Sequence, residues 1–201
     1  MIEEFSTISR QSEALIKEKG SKFFAYAIPV NTVKDVEDQL DRMKKEHHSA
    51  RHWCYAYRLG ESGDRSRSND DGEPTHSAGD PILRQIESKG LTQVLVVVVR
   101  YFGGVKLGVG GLIQAYGGAA QEALDQAHVV IKVISERIRL TFGYEDMSMV
   151  MRMVKRYKGE IIHTDHRESC LLDIDIERAS LTDFLTAMKE LHRVNTKVIA
   201  K

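Results

Sequence analysis

The strongest constraint on this chain lies between Leu91 and Ala127. An apolar run, mostly β-branched, ends at Arg100. It is followed by Tyr-Phe-Gly-Gly-Val-Lys-Leu-Gly-Val-Gly-Gly and then by small and apolar residues at helical spacing. A strand apolar on both faces must be covered on both faces, so Leu91 to Val99 predicts a central strand. Seven of the 15 glycines fall between Gly103 and Gly118. So much backbone freedom is costly to order, and only positive-φ geometry, close backbone approach or a partner touching the backbone can offset it. The helix after the turn is predicted from about Gly111, with Leu112, Ala115, Tyr116, Ala119, Ala123, Leu124 and Ala127 on its spacing. Gly117 and Gly118 fall inside it and cost roughly 1 kcal/mol each relative to Ala, for which close approach of another backbone is the expected reason.

Upstream, Glu13 to Lys19 and Lys22 to Pro29 read as strands flanking a turn at Gly20-Ser21. Thr32 with Asp35 predicts a capped helix start, and Val36, Leu40 and Met43 give it an apolar face running to about Glu46. His52 to Leu59 reads as a strand. Trp53, Tyr55, Tyr57 and Leu59 form its core face, and His52 and Cys54 lie side by side on a half-buried face. Gly60 to Pro81 is polar and turn-rich and predicts a long functional or mobile loop. Ile82, Leu83 and Ile86 then mark a short helix that Gly90 ends.

Beyond Val133 the pattern changes. Glu136 to Tyr144 alternates as a strand. Asp146 to Tyr157 is helical, with Met147, Val150, Met151 and Val154 as its stripe. Ile161 to Asp165 and Ser169 to Glu177 predict a hairpin turning at His166-Arg167-Glu168. Ser180 with Asp183 resembles a capping box opening a helix whose stripe is Leu181, Phe184, Leu185, Met188 and Leu191, and Val194 to Ala200 is a last strand. The order βαββαβ is that of a ferredoxin-like split βαβ unit. The chain therefore reads as α+β with two domains, 1–132 and 133–201.

Charge excludes a polycation. Up to residue 132 there are 17 basic and 18 acidic residues, and beyond it 12 and 11, so any nucleic-acid role must rest on a local patch. Two distant cysteines, Cys54 and Cys170, give no disulfide framework or metal pair. The acidic start lacks a signal-peptide pattern and no apolar run reaches membrane-spanning length, so a cytoplasmic setting without membrane partners is expected.

The glycine turn lacks the Gly-Lys-Ser/Thr of a P-loop, and Ile113 stands where a dinucleotide-binding fingerprint needs its third glycine. Two readings of it stand. It is an anion site at a helix N-terminus flanked by Arg100 and Lys106, or a tight strand-to-helix crossover whose glycines serve packing. Asp70-Asp71-Gly72-Glu73-Pro74 offers carboxylates for a divalent metal or for acid–base work, or to cap a helix. Asp71 and Glu73 can instead pair with Arg100 and close the loop over the turn. A low-ranking catalytic alternative comprises His52, Cys54, Asp71 and Glu73, although nothing in the sequence lowers the thiol pKa. His52, Cys54 and His76 are too few for a zinc site, so no metal and no cofactor is expected. Arg152, Lys155 and Arg156 form a basic helix face that is either solvated or set against RNA phosphates.

Val96 to Leu112, Asp70 to Pro74, Ser77 to Pro81, Ala50 to Ala56 and Ser21 to Ala25 resemble the signature blocks of the IMPACT family, in its bacterial YigZ-type form. The resemblance covers Phe5 to about Ala127, and the tail is similar to the smaller C-terminal domain of that type. It implies an N-terminal α/β sandwich like domain 2 of ribosomal protein S5 and a C-terminal ferredoxin-like domain akin to those of elongation factor G. Eukaryotic members regulate translation by competing for the activator of an initiation-factor kinase. They use an additional N-terminal domain without counterpart in these residues, so that partner is not carried over. The expected function is non-enzymatic, translation-associated regulation through RNA or the ribosome, with a protein partner possible and no DNA sequence readout. The candidate binding residues are Arg100, Tyr101, Phe102, Gly103, Gly104, Lys106, Gly108, Gly110 and Gly111, with Arg152, Lys155 and Arg156. The alternative is an enzyme acting on a phosphorylated or anionic small molecule at Asp71, Glu73, His52 and Arg100.

Overall fold

The computed structural model describes residues 2–166 and 169–200, apart from the His166 side chain. Phe5–Lys132 forms one compact unit; Val133–Lys201 with Met1–Glu4 forms a second. The first unit runs β1 (Glu4–Ile8), β2 (Ser12–Glu18), β3 (Ser21–Pro29), α1 (Val33–Glu46), β4 (His52–Leu59), β5 (Arg65–Asn69), α2 (Gly79–Ser88), β6 (Val94–Tyr101), α3 (Gly108–Asp125) and β7 (Val129–Val133). Five strands form an antiparallel sheet in the order β2-β3-β6-β4-β5, and β1 pairs with β7.

β6 is central, as its apolar run demands. Val94 to Arg100 are all buried. Its even-numbered side chains, with Phe23, Ala25, Ala27, Cys54 and Ala56 of its neighbours, pack under α2 and α3. Its odd-numbered ones, with Tyr26, Ile28, Tyr57 and Leu59, pack under α1 through Val36 and Met43. Each buried Val or Leu contributes roughly 1.5–3 kcal/mol, so this double burial fixes the layer order. On the β4 face expected to be half-buried, α2 covers Cys54 and Ala56, which are fully buried, while His52 and Arg58 at its ends are half-buried.

α1 begins at the expected capping box. The Thr32 hydroxyl accepts from the Asp35 amide, and the Asp35 carboxylate accepts from the Thr32 amide at 2.9 Å. The Lys19-Gly20 turn between β2 and β3 takes positive φ at both residues, the geometry a two-residue hairpin needs. The Gly60 to Pro81 stretch is not one long loop. β5 pairs with β4 inside it, and α2 starts at Gly79. The Arg-Ser-Arg-Ser-Asn strand was illegible because an edge strand with a wet face carries no apolar pattern.

α3 begins three residues earlier than expected, at Gly108. Its inner glycines do not mark close backbone approach. A methyl at Gly117 would sit 3.7 Å from Pro81 Cβ, and one at Gly118 3.5 Å from Ile16 Cδ1, both ordinary contacts. The close approach is at Gly103, where a methyl would fall 1.9 Å from the Gly20 carbonyl carbon.

The second unit runs β8 (Ser135–Phe142), α4 (Met147–Arg156), β9 (Glu160–His166), β10 (Cys170–Glu177), α5 (Leu181–Lys189) and β11 (Asn195–Ile199), with 3-10 turns before each helix. Its sheet order is β11-β8-β10-β9, all antiparallel. The expected turn at Arg167-Glu168 lies outside the described residues. Val150, Val154, Phe184 and Met188 pack the two helices on one sheet face. Met151 is 38% exposed and Met153 packs in its stead, because the helix is rotated relative to the expected stripe. Ser180 does not cap α5, since a 3-10 turn through Arg178–Ser180 runs directly into the helix. On the other sheet face, Arg137 pairs with Asp175 and Arg139 with Asp173, each through two hydrogen bonds of 2.7–3.0 Å.

Candidate functional site

The C-terminal end of β6 and the loop before α2 meet above the α2/α3 face of the sheet. Register places Phe23, Arg100 and His52 side by side on β3, β6 and β4. The three carboxylates of Asp70 to Glu73 do not gather. Each is held by a different element. Asp70 Oδ1 accepts from the Ala78 and Gly79 amides at 2.9 and 2.8 Å, and Oδ2 from the His76 amide at 2.8 Å. Asp70 thus supplies the anion that α2 lacks from its own N-cap residue, Ala78. Asp71 Oδ2 accepts from the Trp53 amide at 2.7 Å, and its carbonyl meets His52 Nδ1 at 2.8 Å.

Glu73 alone reaches Arg100. Its Oε1 accepts from Arg100 Nη1 at 2.6 Å and from the Tyr116 hydroxyl at 2.8 Å. The Arg100 guanidinium lies 5.5 Å from the Phe23 ring centroid and 5.4 Å from that of Phe102. Its Nε is buried without a partner among the described residues. The expected pairing of Asp71 with Arg100 is not made, because the Trp53 amide holds that carboxylate at the edge of β4.

Cys54 lies beneath this network, fully buried, with its thiol donating to the Asp70 carbonyl at 3.0 Å. Burial pushes both the Cys54 thiol and the Tyr116 hydroxyl well above their ordinary values. A thiolate nucleophile has no support here, since a buried, protonated thiol is inert. Among the described residues no three His, Cys, Asp or Glu side chains are placed to share a metal ion.

The turn itself is exposed from Phe102 to Lys106. Gly104 and Gly108 take positive φ, and the Gly103 amide donates to Ser21 Oγ at 3.1 Å. No side chain caps α3. The start of α3, through Leu107, Gly108 and Val109, lines a cavity of about 340 Å³ together with Glu73, Pro74, Arg100, Phe102, Lys106 and Leu112. Since Glu73 neutralises Arg100, the positive potential comes from Lys106 and from the helix end, equivalent to roughly half a charge. Gly110 and Gly111 lie in the first turn of α3, while Tyr101 belongs to the opposite sheet face.

There Tyr101 joins a group that sequence reasoning missed. His47, just past α1, meets the Tyr26 hydroxyl at 2.8 Å and the Tyr101 hydroxyl at 3.0 Å. Burial holds its pKa below the ordinary histidine value. Tyr116 was also missed as a site residue. Its hydroxyl in an otherwise Ala/Gly-rich buried helix was the available signal, because a buried phenol needs a partner. Arg152, Lys155 and Arg156 are exposed on α4, with Arg156 5.7 Å from the Tyr157 ring centroid.

Residues 19–124 match the Impact N-terminal domain family. The IMPACT family member YvyE of Bacillus subtilis is 30% identical over 191 residues, 95% of this chain and 88% of that protein. The IMPACT family member YigZ of Escherichia coli is 30% identical over 184 residues, 90% of each chain. A crystal structure described as that of a hypothetical protein superimposes with a TM-score of 0.74 at 27% identity, covering all of both chains.

Proposed function

The chain belongs to the IMPACT family, and from that premise we propose that it is a non-enzymatic, translation-associated regulatory protein that engages RNA or the ribosome in the cytoplasm. We read its first unit as like domain 2 of ribosomal protein S5. We read its second as ferredoxin-like and akin to domains of elongation factor G, a reading supported by the strand order β11-β8-β10-β9. The observation that carries the functional proposal is the uncapped N-terminus of α3, 18 residues long, opening beside Lys106 at the end of the central strand. Amides at a helix start favour phosphate oxygens. Arg152, Lys155 and Arg156 offer a second basic surface. The open sheet face of the second unit does not, because Arg137 and Arg139 are engaged by Asp175 and Asp173.

Filter binding of the purified protein to structured ribosomal RNA across a potassium chloride series tests the reading. The expected result is binding that weakens steeply with salt, and weakens at all sequences alike in K106A and in the triple variant R152A/K155A/R156A. Lack of any salt-sensitive binding at low ionic strength overturns it.

A second reading, an enzyme acting on an anionic small molecule, is favoured by the cavity that joins Glu73 and Arg100 to the helix end. Thermal-shift measurements with nucleotides, sugar phosphates and divalent metals test it. Stabilisation by one of them, lost in R100K, is the expected result, and no stabilisation removes its support.

A further inference from the structure

Phe102 stands where the two faces of the central sheet end. β6 sends Arg100 to the α2/α3 face and Tyr101 to the α1 face. The last ladder pair, Lys22 with Tyr101, is complete one residue before Phe102. The ring is 51% exposed, yet it walls two cavities. One, of about 340 Å³, holds Arg100, Lys106 and the start of α3. The other, of about 420 Å³, holds Lys22, Phe24, His47 and Tyr101. Nor can the loop readily fold the ring away. Gly103, the next residue, is tied to Ser21 by its amide and abuts the Gly20 backbone.

We propose that Phe102 is the stacking wedge of a site for single-stranded RNA. Successive bases occupy the cavities on its two sides, and flanking phosphates meet Lys22 on one side and Lys106 with the α3 amides on the other. The proposal rests on the RNA reading above and narrows it to unpaired strands. A duplex keeps its base faces stacked, and only an unpaired strand can place a base against an aromatic ring. Charge complementarity favours this occupant. Each cavity carries a lysine, and the carboxylate lining the first, Glu73, is held by Arg100 and Tyr116. Pinning the backbone beside the ring lowers the ordering cost that a mobile loop incurs.

Fluorescence anisotropy with labelled octauridylate tests this, using the full chain and its F102A and F102W variants, an RNA hairpin as duplex comparison and uridine monophosphate as competitor. Phe102 lies outside the three cores, so its replacement leaves the fold intact, which far-UV circular dichroism checks. The expected result is tighter binding of octauridylate than of the hairpin stem and a loss of about tenfold in F102A. F102W retains affinity, and octauridylate quenches its added tryptophan emission. Equal binding by F102A and the parent chain, or equal binding of single strand and stem, overturns the wedge and leaves the RNA reading in place. Competition by the monophosphate as effective per nucleotide as the octamer overturns it in favour of a free-nucleotide site. Binding of no RNA at all overturns both this proposal and the reading on which it rests.

Discussion

The Glu73 carboxylate accepts from Arg100 at 2.6 Å, and both side chains are more than nine-tenths sealed from water. Removing either partner leaves the other charged, buried and uncompensated, which costs about 3–5 kcal/mol. R100A and E73A should therefore each unfold at markedly lower urea. The double variant R100M/E73L should recover part of the loss, because an apolar pair of similar volume carries no desolvation penalty. Recovery absent from the denaturation curves would place the cost in lost packing instead.

Gly103 and Gly117 should respond oppositely to alanine. At Gly103 the added methyl collides with Gly20 backbone, and at Gly117 it meets Pro81 Cβ at 3.7 Å. G103A should lose about 1–3 kcal/mol through forced backbone displacement. G117A, in a helix interior with room, should gain up to about 1 kcal/mol. Thermal midpoints of the two variants check both signs.

Asp70 should matter through α2 rather than through chemistry. Its two oxygens take the Ala78 and Gly79 amides at the start of that helix and the His76 amide in the loop before it. D70A should cost about 1–2 kcal/mol, the loss of a cap together with its charge. D70N keeps one acceptor oxygen and should fall between D70A and the parent. Hydrogen exchange should localise the loss to Ala78 to Ile82.

His47 predicts a pH dependence of stability. Burial depresses its pKa below the ordinary 6.5, against a smaller opposing effect of Glu46. The unfolded chain therefore takes up the proton first as pH falls. The contribution is fully present above pH 6.5 and is lost as pH drops through the depressed value. The urea midpoint should decline from pH 7.5 to 5.5, and decline less in H47Q. Equal declines in the two proteins would acquit His47.

Much of this architecture could be read from residues because its signals are local. The double-faced run of β6, the Thr32/Asp35 box and the Phe184/Met188 stripe each declare their element without reference to another. β5 was hidden because Arg-Ser-Arg-Ser-Asn is a strand only by virtue of pairing with β4. The site divides the same way. Arg100 and Glu73 announce themselves as opposite charges beside a buried strand. The roles of Asp70, Tyr116 and His47 depend on which amide, carboxylate or phenol the tertiary fold brings to them. Gly103 shows the limit sharply. The glycine cluster signalled a close approach, but only the folded backbone shows that the partner is Gly20 and that Gly117 and Gly118 have none.

That contact between Gly20 and Gly103 has a consequence for how such chains diverge. Two turns far apart in the chain touch main chain to main chain, with no side chain between them to trim or exchange. Lengthening the hairpin at Gly20 cannot be absorbed by substitution at position 103, because glycine is already the smallest residue. Only a matching change of length in the second turn restores the fit. Insertions and deletions at these two places should therefore be inherited together, and a lineage that has altered one turn alone should have lost the pinned loop that carries Phe102.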